Sequence, residues 1–90
     1  SAEQRQTAPV LFETLQQVAK SVKDGERDYP VLIEAARQRL ADSGLRADYL
    51  DLRDALTLNP VNADTRDMVI LAAAYLGNTR LIDNLLFDLH

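Results

Sequence analysis

Met68-Val69-Ile70-Leu71-Ala72-Ala73-Ala74-Tyr75-Leu76-Gly77-Asn78 reads either as a helix or as a central strand, and the choice sets the fold class. Its three alanines favour helix by intrinsic propensity, whereas the Met-Val-Ile-Leu opening and the Gly77-Asn78 punctuation fit a strand covered on both faces. The segment that follows tips the balance to strand. Leu81, Leu85, Phe87 and Leu89 fall on one alternating face, with Arg80, Asn84 and Asp88 on the other. The two segments therefore read as strands of a hairpin turning at Gly77-Asn78.

Working back towards the N-terminus, Asn59, Pro60, Asn62 and Asp64 mark a turn-rich loop. Before it Leu50 and Leu52 alternate with Tyr49, Asp51 and Arg53, which predicts a half-buried strand over Tyr49 to Asp54. Two helices precede that strand. Asp28 can cap one whose first turn holds Pro30; Tyr29, Leu32, Ile33, Ala36 and Leu40 share a face, and Ser43-Gly44 closes it. The earlier helix carries Ala8, Leu11, Phe12, Leu15, Val18, Ala19 and Val22 at helical spacing. Ser1 and Gln4 have the capping-box pattern, while Pro9 predicts either a kink or a fresh start capped by Thr7. Lys20 and Lys23 followed by Gly25 predict an end near Asp24. The expected fold is α+β: two N-terminal helices followed by a three-stranded antiparallel sheet, in a single domain over residues 1–90.

Composition narrows the function classes. A chain of 90 residues supports one hydrophobic core, and 47% hydrophobic with 27% charged residues is ordinary for a globular protein. Ten Lys and Arg, dispersed along the chain and outnumbered by 14 Asp and Glu for a net charge of -4, argue against nucleic acid as partner. No apolar run approaches the roughly 20 residues that span a bilayer, so no membrane association is expected and a cytoplasmic location is the default. With no cysteine and a single histidine, His90, the chain offers no disulfide, thiolate ligand, Cys nucleophile or histidine-based catalytic set.

The remaining candidates are carboxylates and their neighbours. Asp83 interrupts the apolar face of the third strand, and a buried carboxylate is costly unless an arginine or several backbone donors satisfy it. Arg80, Asn84 and Arg53 are the available partners within the sheet, with a residue outside the chain as the alternative; a structural ion pair is favoured over a substrate contact. Asp48, Asp51 and Asp54 could be drawn as a divalent-cation cluster, but strand alternation sends Asp51 to the opposite face, and a solvated strand edge is the better reading. There is no glycine-rich phosphate loop and no nucleophile elbow, so the expected catalytic, cofactor-binding and metal residues within the chain are none.

Specific strings carry more than these periodicities. Ala2-Glu3-Gln4-Arg5 opens the first helix, Arg46-Ala47-Asp48-Tyr49-Leu50 enters a strand, and Arg53-Asp54-Ala55-Leu56-Thr57-Leu58 leaves it. With the run from Val69 through Gly77-Asn78-Thr79-Arg80-Leu81-Ile82-Asp83-Asn84, the chain resembles the C-terminal end of the pantothenate synthetase (pantoate–β-alanine ligase) family over essentially its whole length. The resemblance implies an enzyme that condenses pantoate and β-alanine to pantothenate, on the way to coenzyme A, using ATP and Mg²⁺ through a pantoyl-adenylate. It further implies that an N-terminal nucleotide-binding domain, with its His-x-Gly-His motif and a Ser-Arg-Asn motif upstream of Ser1, does the chemistry and supports a homodimer. This chain would then be the hinged C-terminal lid, inactive alone, with Arg80, Asp83 and Asn84 holding the hairpin or locking it against that domain. The alternative is a non-catalytic protein-interaction module that recruits a partner helix or strand.

Overall fold

The computed structural model describes residues 7–89, and the Ser1–Gln4 capping pattern lies outside them. The first described helix, α1, spans Pro9–Lys23; α2 spans Tyr29–Asp42; three strands follow, β1 (Arg46–Asp54), β2 (Asp67–Leu76) and β3 (Thr79–Asp88). The sheet is antiparallel in the order β1-β2-β3. The two-helix, three-strand α+β arrangement expected from the sequence is the one observed.

Pro9 takes the first position of α1, where a missing N–H costs no helical bond. The N-cap position is Ala8 rather than the expected Thr7, and it makes no side-chain cap bond. Leu11, Leu15, Val18, Ala19 and Val22 form the buried stripe, whereas Phe12 is 39% exposed. Thr14, 1% exposed, lies in the same stripe because its Oγ1 donates to the Val10 carbonyl at 2.7 Å, which satisfies the hydroxyl locally. The helix stops at Asp24 as predicted, with Gly25 at φ 112. Asp28 caps α2 by accepting from the Val31 N–H, and Gly44 at φ 90 follows its end.

Strand β1 begins at Arg46, earlier than the predicted Tyr49. The reason is a bulge. Ala47 pairs with Ala74 but Tyr49 with Ala73, leaving Asp48 as the extra residue, so the alternation read back from Leu50 breaks there. Strand β2 adds only Asp67 to the predicted segment. Leu76 pairs with Thr79 across a two-residue turn whose first position is Gly77 at φ 61, the place where a type II′ hairpin requires glycine.

Both helices lie on the same side of the sheet. Leu11, Leu15, Val18, Ala36 and Leu40 meet Leu50, Ile70, Ala72 and Ala74 in one core, with Leu81, Leu85 and Phe87 of β3 packed against it. Strand parity puts Val69, Leu71, Ala73 and Tyr75 on the opposite, helix-free face, beside Tyr49, Asp51 and Arg53 of β1 and Arg80, Ile82, Asn84 and Leu86 of β3.

Candidate functional site

The sheet register decides where the three candidate residues lie. Arg80 and Asn84 project from the helix-free face, opposite Tyr75 and Leu71, while Asp83 shares the helix-side parity of Leu81 and Leu85 and sits opposite Ala72. They do not form one cluster. Asp83 is only half-buried, and its Oδ1 accepts from the Asn84 backbone N–H at 2.8 Å. Its polar contact is thus with a neighbouring backbone donor, and the two arginines expected as partners are engaged elsewhere.

Arg80 reaches across the sheet to the bulge residue Asp48, with Nη2 at 2.9 Å and Nε at 3.3 Å from the same Oδ2. Hydrogen bonding to the Asp48 carboxylate raises the Arg80 pKa further above its ordinary value. The same guanidinium stands 5.8 Å from the Tyr49 ring centroid, and Arg46 lies 4.6 Å over the Tyr75 ring. Both are within cation–π range. One end of the helix-free face is therefore a layer of two tyrosines, each beside a guanidinium.

The other carboxylates are committed separately. Asp51 lies 3.7 Å from Arg53, which also donates to the Leu58 carbonyl at 3.3 Å. Asp54 accepts from the N–H groups of Leu56 and Thr57, at 2.8 and 3.2 Å, and so shapes the turn that leaves β1. Leu58 in that turn adopts φ 63, unusual for a bulky residue. Among the described residues no group of three His, Cys, Asp or Glu side chains is placed to hold a metal ion, and no helix is long and apolar enough to cross a membrane.

Sequence reasoning passed over two features of this face. Ile82 and Leu86 are 63% and 67% exposed, and their parity, opposite to that of Leu81 and Leu85, was the available signal. The pairing of Arg80 with Asp48 carried no such signal, because it depends on the register of three strands and on the bulge.

The fold and much of the sequence recur in larger proteins. At 58% identity over 89 residues, the chain is similar to the pantothenate synthetase of Pseudomonas fluorescens (strain Pf0-1), covering 99% of this chain and 31% of that protein. The pantothenate synthetase of Pseudomonas putida (strain W619) is 58% identical over 85 residues, covering 94% and 30% respectively. The crystal structure of the enzyme from Thermus thermophilus superposes with a TM-score of 0.79 at 31% identity, over 94% of this chain and 31% of that one. The chain thus spans about a third of the length of the relatives it matches. Residues 1–86 match the family model for pantoate-beta-alanine ligase, and the chain belongs to that family.

Proposed function

We propose that this chain is the C-terminal lid of an ATP-dependent ligase that joins pantoate to β-alanine through a pantoyl-adenylate, releasing AMP and pyrophosphate. The supporting observation is the near-complete match of the chain to about a third of each pantothenate synthetase, by sequence and by fold. The described residues do not fit a magnesium site: Asp48, Asp51 and Asp54 each have another partner and do not converge. Metal and nucleotide are therefore assigned to the N-terminal nucleotide-binding domain of the same enzyme, in a protein located in the cytoplasm and dimerising through that domain.

In this reading the chain's contribution is physical. An acyl-adenylate is open to hydrolysis in competition with amide formation, and a lid that closes over it excludes water without lending a reacting group. Arg80, Asp83 and Asn84 hold the terminal hairpin in shape or fasten it against the nucleotide-binding domain in the closed state.

The test is pantothenate formation from ATP, pantoate and β-alanine. It compares the full-length enzyme, the enzyme lacking residues 1–90, this chain alone, and the two pieces mixed. Loss of turnover on deletion, with no activity in this chain alone, is expected. Undiminished pantothenate formation by the truncated enzyme would remove the lid reading, as would turnover by this chain alone. Full-length Asp83→Ala with unchanged stability and unchanged turnover would remove the role given to that side chain.

A further inference from the structure

Arg46, Tyr75 and Arg80 stand in one row across the sheet. Arg46 pairs with Tyr75 and Tyr75 with Arg80, and cross-strand partners share a face, so two arginines flank one tyrosine. Neighbouring strands lie about 4.8 Å apart, which sets the two arginine backbones roughly 10 Å from each other. Their long side chains can converge on a single ligand above the tyrosine ring.

The two guanidiniums are held in place but not used up. Arg46 lies 4.6 Å over the Tyr75 ring and, among the described residues, has no carboxylate partner. Arg80 gives Nη2 and Nε to one oxygen of Asp48, which leaves its Nη1 without a partner among the described residues. That ion pair is exposed and adds little to stability, yet β1 carries a bulge at the very residue that makes it. Bulges gather beside functional sites, where they re-aim a side chain. In a chain of net charge -4 the row is a local excess of positive charge, two arginines against Asp48.

The row also lies at a particular end of the fold. Helix α1 packs along β3, and its last residue, Lys23, stands 6.0 Å from the Phe87 ring, opposite Met68 and so at the far end of β2 from Tyr75. The Pro9 end of α1 is therefore at the Arg80 end of the sheet, and in the lid reading the nucleotide-binding domain joins the chain before Pro9. We infer that Arg46 and Arg80, astride Tyr75, form a seat for the polyphosphate of ATP and for the pyrophosphate that the reaction releases. The inference rests on the lid reading and adds the chemical group that the lid grips. A guanidinium presents a planar fork to phosphate oxygens, and two forks in a row match oxygens strung over successive phosphorus atoms. A carboxylate, with both oxygens on one carbon, engages only one fork.

The experiment uses full-length enzyme with Arg46→Gln, Arg46→Lys and, as a control for loss of charge alone, Arg66→Gln, which lies just before β2 at the opposite end of the sheet. The inhibition constant for pyrophosphate and the KM values for ATP, pantoate and β-alanine are measured at fixed ionic strength. For Arg46→Gln the pyrophosphate constant and the KM for ATP are expected to rise about tenfold, the weight of one charge-assisted hydrogen bond, with the KM for β-alanine and the melting temperature unchanged. Arg46→Lys should recover part of the loss, since an ammonium keeps the charge without the fork, and Arg66→Gln should match the parent. Unchanged constants in Arg46→Gln, or an equal rise in Arg66→Gln, would overturn the inference. So would an equal rise in the KM for β-alanine, which would make Arg46 a support of the closed state and not a phosphate contact. Weaker inhibition by inorganic phosphate with unchanged inhibition by pyrophosphate would give the seat to a free phosphate ion and overturn it too. Undiminished synthesis by the truncated enzyme would remove the lid reading and the seat with it, whereas the Arg46 constants test the seat alone.

Discussion

At the scale of single residues, burial and local hydrogen bonding set the consequences. Leu15 is fully buried at the centre of α1, so Leu15→Ala removes both transfer free energy and packing; urea unfolding should show a loss of about 2–5 kcal/mol. Glu26 behaves differently. Its carboxylate accepts from the N–H groups of Asp28 and Arg27, which lower its pKa in the folded chain. A lowered folded pKa contributes stability that is present above the unfolded value, about 4.3, and is lost as pH falls through the folded value. Glu26→Gln should therefore lower the melting temperature at pH 7 and leave it nearly unchanged at pH 3; an equal deficit at both would rule out the charge as the cause. Asp48 and Arg80 meet at the surface, so the effect of Asp48→Asn on melting should be small and should fade as salt is added. The residue-level site was the least legible part of the sequence. Asp83 could be placed on the helix-side face by parity, but its half-exposed position and its Asn84 N–H partner depend on how far the helices extend over β3.

At the scale of elements, the sequence was most informative where a single local rule acts. Gly25 and Gly44 stop the helices, Asp28 caps α2, and Gly77 makes the hairpin, each through a backbone requirement confined to a few residues. Gly77→Ala places a Cβ in open space but keeps φ at 61, so its cost is conformational rather than steric. Denaturant unfolding should show about 1 kcal/mol lost, with the sheet signal in circular dichroism retained. The start of β1 was not legible, because a bulge at Asp48 is a compromise between two strands and not a property of either. Nor was the turn Asp54–Leu58, where side-chain acceptance by Asp54 coexists with a left-handed Leu58. Since Leu58 is more than half exposed, Leu58→Asn gives up little burial and should raise stability by about 0.5–1 kcal/mol on the same assay.

At the scale of the whole molecule, the two helices and three strands of the described residues make a slab 43 Å long and 22 by 19 Å across, with one broad side left to the sheet. The Met68–Leu76 segment explains why class was readable and cover was not. Its apolar faces announced a strand with neighbours on both sides, yet a linear pattern cannot say whether the second neighbour belongs to the same piece of chain. The position of β3 carries one more consequence. It is an edge strand of ten residues, paired with β2 in unbroken register; it contains neither proline nor lysine but carries Arg80, Asp83 and Asp88, and Ile82 and Leu86 stand on its helix-free face. Proteins ordinarily blunt such an edge with charge, proline or a bulge. On β3 that protection comes from charge alone, so neutralising Arg80, Asp83 and Asp88 together would leave a border along which copies of the chain could meet as a template meets matching strands.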